Sequence, residues 1–338
     1  MKIAIISKLW EETTPLSRGG TGASIGSLVD GLVDKGHQIT LFATGDSNTR
    51  ARELVAVREK PFRDDYSEIQ EYDNISRAFK RHKEFDIIHC AVEHKSVFFG
   101  GLTDTPSLHS IRYGEFFEQE EELLKRNKNL NFMANSQAVT KFLPFLNWQG
   151  VVYNGVSIDK FPFNEQAGDY LLFLARITEQ KGVDRAIQVA RASGKKLILA
   201  GKMADKDSEF IKKKVSPFID DKQIKYLGEV TQERKIELLR NAYCLIQPNR
   251  LFEACSNSFL EAMACGTPVV TLDKGSNREL VKSGFTGFVA EKEEDLTDAV
   301  FKIRDIKRKD CRERVEKYFS REKMVEGYLN LYKKIINL

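Results

Sequence analysis

Two glutamates, Glu253 and Glu261, flank the start of an apolar helix in the stretch 253–270, EACSNSFLEAMACGTPVV. Ser256, Asn257 and Ser258 are cap-type residues, Phe259, Leu260 and Met263 form an apolar stripe, and Gly266, Thr267 and Pro268 stop the helix. Glu253 lies ahead of the helix and Glu261 about one turn in, so both carboxylates can face the space above its N-terminus. Unpaired backbone N–H groups and the helix dipole make that space attractive to anions. An anionic ligand carrying hydroxyls suits it, with phosphate on the amides and hydroxyls donating to the carboxylates, and a nucleoside diphosphate sugar is such a ligand. A plainer reading stands beside this one. Ser258 and Glu261 have capping-box spacing, so Glu261 could simply close its own helix end, and Glu253 could be a solvated loop carboxylate.

Arg176 and Lys181 follow the apolar run 170–175 (YLLFLA), at the C-terminal end of an expected strand, where open α/β sheets bind ligands. Arg meets phosphate as a fork and Lys as a point charge, and together they could stabilise a leaving diphosphate. They could equally be two surface cations flanking a turn. Gly19 and Gly20 open the cluster GGTG, after which Ile25, Leu28, Val29, Leu32 and Val33 recur at helical spacing. Backbone amides there can come close to a phosphate. A nicotinamide-binding fingerprint competes for these glycines, with Asp46 beyond the second strand. It fits poorly, because the loop 8–18 separates the strand from the glycines and Ile25 holds the third glycine position. His89, Glu93 and His94 match no zinc spacing. His109 is placed at a strand end, where its other reading is a hydrogen-bonded core histidine.

These side chains need a scaffold of alternating strands and helices. The run 2–7 (KIAIIS) is continuously apolar, as strands buried on both faces of a parallel sheet are. Strands are expected at 38–43, 54–57, 86–90, 105–109, 131–135 and 151–153, with an apolar segment at 97–99 and helix regions starting at Asp64 and Glu115. A second series follows at 170–175, 196–200, 224–227, 243–247 and 269–272. The fold class is therefore α/β, with two doubly wound Rossmann-like domains facing each other across a cleft. The expected limits are 1–160 and 161–319, with a last helix at about 320–338 packing back on the first domain. The chain has 338 residues, enough for two cores.

Lys and Arg total 53 against 49 Asp and Glu, a net charge of +4 that is too small and dispersed to indicate nucleic acid. The basic runs 80–83, 212–214 and 302–314 read as solvated helix faces, a membrane surface being the minor alternative. Five cysteines without a CxxC pair argue against disulfide and zinc frameworks. No charged-then-apolar leader precedes Lys2, and no run approaches the roughly 18 apolar residues that cross a bilayer. The expected location is cytoplasmic.

At this point the sequence resembles the retaining glycosyltransferases of family four, which have the two-domain GT-B fold. Five segments carry the resemblance: SRGGTGASIGSLVDGLVDKGHQITLFATGDS, FDIIHCAVEH, ANSQAV with VVYNGV, LFLARITEQKGVDRAI, and EACSNSFLEAMACGTPVV. The last holds the family's pair of glutamates. The resemblance implies metal-independent transfer of a hexose from a nucleotide diphosphate sugar, UDP favoured and GDP the alternative, with the anomeric configuration kept and no cofactor. Gly20 then looks like the backbone contact to the distal phosphate, and Arg176 and Lys181 like the diphosphate clamp. Glu253 looks like the carboxylate on the donor sugar's hydroxyls, Glu261 the one on the ribose, and His109 the histidine on the sugar's far side. The first turn at Ser256, Asn257 and Ser258 joins the donor site, and backbone near Glu229 and Val230 meets the base.

Two residues depart from the family. Cys255 and Ser256 stand where Phe-Gly is usual, and Ala91 replaces the second histidine of a His-x-His. The triplet Asp205, Lys206, Asp207 is similar to the acidic motif of metal-dependent sugar transferases, but its place after a strand favours helix capping. No side chain is an obvious nucleophile, so the departing phosphate accepts the acceptor's proton, Glu253 being the alternative nucleophile. The acceptor, a saccharide, a lipid-linked or a small molecule, is expected near Trp10, Glu11, Glu12, Arg112 and Tyr113. A non-catalytic nucleotide- or sugar-binding protein on the same fold is the other class of reading, which the retained Glu253, Glu261, Arg176 and Lys181 argue against.

Overall fold

A computed structural model describes residues 1–17, 19–62, 65–114, 116–203 and 207–338. Arg18, Asp64, Glu115, Asp205 and Lys206, named above, lie outside the described residues. The chain divides into two compact units, Met1–Gly155 with Arg321–Leu338, and Val156–Ser320.

The first unit contains β1 (Lys2–Ile6), α1 (Gly20–Asp34), β2 (Gln38–Ala43), β3 (Glu53–Ala56), α2 (Glu68–Lys80), β4 (Ile87–Cys90) and β5 (Ser107–Ile111). It continues with α3 (Glu118–Arg126), β6 (Asn131–Ala134), α4 (Gln137–Phe142) and β7 (Trp148–Val151). The strands form one parallel sheet in the order β3-β2-β1-β4-β5-β6-β7. Alternation along β1 explains its unbroken apolar run. Ile3 and Ile5 pack with Ile25, Leu28 and Leu32 of α1. Ala4 and Ile6 pack on the opposite face with Ile75, Ala78 and Phe79 of α2. The C-terminal helix Arg321–Ile335 adds Met324, Val325, Tyr328 and Tyr332 to the α1 side, and Tyr332 bonds the buried His89 at 2.8 Å.

The second unit has its own parallel sheet, in the order β10-β9-β8-β11-β12-β13. Its elements are β8 (Tyr170–Leu174), α5 (Val183–Ser193), β9 (Lys196–Ala200), α6 (Ser208–Lys214), β10 (Ile224–Tyr226), α7 (Gln232–Asn241) and β11 (Cys244–Ile246). After these come α8 (Asn257–Ala264), β12 (Val269–Leu272), α9 (Asn277–Leu280), β13 (Gly287–Ala290), α10 (Asp295–Lys302) and α11 (Arg308–Tyr318). Both units are Rossmann-like α/β folds. The order places β8 and β11 side by side, so the loops leaving their C-terminal ends are neighbours.

Several boundaries differ from the sequence reading, among them the strand expected at 151–153, which runs Trp148–Val151. The division falls after Gly155 and not after residue 160. The apolar segment at 97–99 belongs mostly to the 3-10 turn Glu93–Phe98. Strand β5 runs on to Ile111, because its ladder with β4 pairs Cys90 with His109 and its ladder with β6 pairs Ile111 with Ala134. His109 is therefore the middle of the strand and not its end.

Candidate active site

The loop after β8 carries Arg176 and Lys181, and the loop after β11 carries Gln247, Asn249 and Glu253. Three contacts fasten the two loops together. Arg250 makes a two-pronged bond to Asp184 in the first turn of α5, at 2.8 and 2.6 Å. Its backbone N–H donates to the Gln180 carbonyl at 2.9 Å, and its guanidinium also reaches the Glu179 carbonyl. The third contact is a close approach. Gly182 has φ 74°, and a Cβ there would stand 2.1 Å from the Pro248 carbonyl oxygen, so only glycine fits. Gly182→Ala is expected to cost about 1 to 3 kcal/mol through backbone strain and to shift Lys181. Chemical denaturation checks this, and an unchanged midpoint would contradict it.

Within this frame Lys181 Nζ donates to Glu253 Oε2 at 2.6 Å, and Asn249 Nδ2 donates to the same oxygen at 3.0 Å. Arg176 is exposed and, among the described residues, has no hydrogen-bond or ion-pair partner. A cation left open beside a paired Lys and Glu at the strand ends is an arrangement that can accept an anion and a hydroxyl together.

Helix α8 starts at Asn257 with Ser256 as N-cap, and no side chain caps it there. Its third residue is Phe259, so Ser258 and Glu261 do not form a capping box. Ser258 donates instead to Gln247 at 2.9 Å, and Glu261 pairs with Lys235 of α7 at 2.9 Å. The plainer reading of Glu261 as a helix cap is thereby set aside. Glu229 and Val230 lie between β10 and α7, Glu229 exposed, just ahead of Thr231, which caps α7. Asp207 occupies the N-cap position of α6, but its carboxylate makes no cap bond and accepts from the Glu179 N–H at 3.3 Å. The capping expectation for Asp207 is corrected to a tie onto the loop after β8.

In the first unit, Gly19 is the N-cap of α1 and Gly20 its first residue. A Cβ at Gly19 would fall 1.2 Å from Glu11 Oε2, so the chain's own carboxylate lies against this helix start. Burial raises the Glu11 pKa, while the Gly22 N–H and Lys8 oppose the rise. Trp10 is half exposed and stacks on Tyr66, ring centroids 4.9 Å apart. Tyr113 bonds His94 Nδ1 at 2.8 Å, and burial raises its pKa.

Two expectations fail here. His109 is fully buried, with Ser96 at 2.7 Å on Nδ1 and Ser107 at 2.9 Å on Nε2, and desolvation pushes its pKa down to about 3. It is a neutral core histidine, and the catalytic assignment does not hold. Arg112, expected to meet the acceptor, is 8% exposed and turned inward, with Asn154 at 2.6 Å and Ser24 at 3.0 Å on its guanidinium. Its backbone N–H donates to the buried Glu93 at 2.8 Å, and Glu93 also meets Lys8 at 2.7 Å. Among the described residues no group of three or more His, Cys, Asp or Glu side chains is arranged to hold a metal ion.

Sequence reasoning missed Lys235, Gln247, Asn249, Arg250 and Tyr66. The polar pair Gln247 and Asn249, coming straight after the buried run of β11, is a usable signal, since buried polar groups need partners. Lys235 offers none, because a lysine on an exposed helix reads as solvated.

Two family models divide the chain between them: Glycosyltransferase Family 4 matches residues 18–160, and Glycosyl transferases group 1 matches residues 157–321. The chain belongs to glycosyltransferase family four. An uncharacterized glycosyltransferase of Methanocaldococcus jannaschii is 29% identical over 55% of this chain, and the match spans 53% of that relative's length. The transferase also shares its fold with sucrose-phosphate synthase from Thermosynechococcus elongatus, at TM-score 0.80 and 17% identity over 100% of this chain and 99% of that one. HepE of Anabaena, solved in complex with UDP and glucose, aligns at TM-score 0.77 and 16% identity over 99% of this chain and 100% of its own. These two likenesses establish the GT-B fold.

Proposed function

We propose that the transferase moves a hexose from a nucleoside diphosphate sugar, UDP-linked in preference to GDP-linked, with retention of configuration and without a metal ion. The observation that carries this reading is the pairing of Lys181 with Glu253 at the ends of the neighbouring strands β8 and β11, with Arg176 exposed on the same loop as Lys181 and without a partner among the described residues. Arg176 and Lys181 meet the diphosphate, whose charge grows as the glycosidic bond breaks. Glu253 takes the sugar's hydroxyls and Glu261 the ribose, with Lys235 holding one Glu261 oxygen in place. The base lies by the backbone at Glu229 and Val230, and the first turn at Ser256, Asn257 and Ser258 completes the donor site. The departing phosphate accepts the acceptor's proton, which requires no further side chain as base. HepE's complex with UDP supports a UDP-linked donor.

The acceptor belongs to the first unit, near Trp10, Glu11 and Tyr113, and is a saccharide, a lipid-linked or a small molecule. Among the described residues no helix is long and apolar enough to cross a membrane. The five cysteines are buried free thiols, which supports a reducing, cytoplasmic setting.

Thermal unfolding with UDP or GDP in EDTA tests the donor reading without an acceptor. A nucleotide at 100 times its Kd adds about 2.7 kcal/mol of stability, so UDP is expected to raise the unfolding temperature in the chelator. A rise that appears only after manganese is added would overturn the metal-free reading.

A further inference from the structure

Gln247 and Asn249 are 2% and 1% exposed, yet both are polar and both lie within the exit of β11. Their amides form a line of hydrogen bonds with one direction. Ser258 Oγ donates to Gln247 Oε1 at 2.9 Å, which turns Gln247 Nε2 toward Asn249 Oδ1 at 3.1 Å. An amide nitrogen can only donate, so Asn249 must present its oxygen to Gln247 and its Nδ2 to Glu253 Oε2 at 3.0 Å. Ser256 Oγ stands 3.0 Å from Ser258 Oγ, and because the Ser258 proton is committed to Gln247, Ser256 is the donor. Every bond from Ser256 to Glu253 therefore points toward the carboxylate, and such chains strengthen one another. Glu253 Oε2 receives both Asn249 and Lys181, while Oε1 accepts no hydrogen bond among the described residues.

We propose that Gln247 and Asn249 are positioning residues, an amide relay that fixes the Glu253 carboxylate with Oε1 presented to the donor sugar. The proposal rests on the assignment of Glu253 to the sugar. When Lys181 turns to the diphosphate, Asn249 stays on Oε2, so the carboxylate keeps its orientation through the reaction. Two substitutions probe the relay from different points. Asn249→Ala removes that remaining donor. Gln247→Glu keeps shape but leaves an acceptor where the donor stood, which turns the Asn249 amide around and aims its oxygen at Glu253.

The test compares wild type, Glu253→Ala, Asn249→Ala and Gln247→Glu in the full chain, with UDP affinity by calorimetry and kcat and KM for UDP release from UDP-glucose with water as the glucosyl acceptor. Both relay variants are expected to bind UDP as the wild type does while kcat falls about 10- to 100-fold, as when an outer partner that orients a ligating group is lost. UDP binding also shows that each variant is folded. If Glu253→Ala is slowed while both relay variants keep the wild-type kcat, the relay alone is overturned. If Glu253→Ala keeps the wild-type kcat, the relay falls together with the assignment of Glu253. Loss of UDP affinity in parallel with kcat in both relay variants would show a role in holding the fold and would also overturn the proposal.

Discussion

Replacing Lys181 with alanine is expected to slow sugar transfer by about 10² to 10³, the loss that follows removal of one fixed donor to developing charge. Its ammonium lies 2.6 Å from Glu253 on a loop that Arg250 and Gly182 pin down, so the charge is already within the site when the donor arrives and has only to turn from the carboxylate to the diphosphate. Preorganisation of this kind is what makes a single cation effective. Lys181→Arg is not expected to restore the rate, because a planar fork does not substitute for a compact point charge in a site shaped by its neighbours. Steady-state kinetics checks this, and a loss below about fivefold, roughly 1 kcal/mol, would show that the diphosphate is met elsewhere.

Removing Glu253 is expected to cut transfer by another route and by somewhat less. The carboxylate lies beside Lys181 and accepts from Asn249, with Oε1 left for a hydroxyl. Glu253→Ala deletes that acceptor without touching Glu261, which is paired with Lys235 on a different helix. A hydrogen bond to a charged group contributes about 1.5 to 3 kcal/mol, so kcat/KM should fall by roughly one to two orders of magnitude if the bond forms fully in the transition state. Glu253→Gln separates charge from shape, since it keeps an oxygen that can accept.

Much of the scaffold could be read from apolar runs, because strands buried on both faces of a parallel sheet carry few polar residues. The runs KIAIIS, YLLFLA and KLILA all fall on strands, and the glycines at 19–22 fall at the start of α1. Side-chain direction was less visible. The pattern marks a strand near His109, but the end of β5 is set by its ladders with β4 and β6, and these extend it to Ile111. That extension buries His109 and leaves Arg112 as the first residue beyond the strand. Glu11 illustrates a second limit, since its approach to Gly19 depends on the path of a loop with no periodic pattern. At Ser258 and Glu261, spacing alone could not separate a capping box from a ligand carboxylate. The helix start at Asn257 and the bond from Lys235 exclude the capping box.

The division of the donor between Glu253 and Glu261 is the centre of this account, and calorimetric titration of each alanine variant with UDP and UDP-glucose tests it most directly. Glu261→Ala is expected to weaken both ligands by about 1.5 to 3 kcal/mol, and Glu253→Ala to leave UDP binding nearly intact while weakening the UDP-glucose complex. Equal UDP affinity in the wild type and both variants would contradict it.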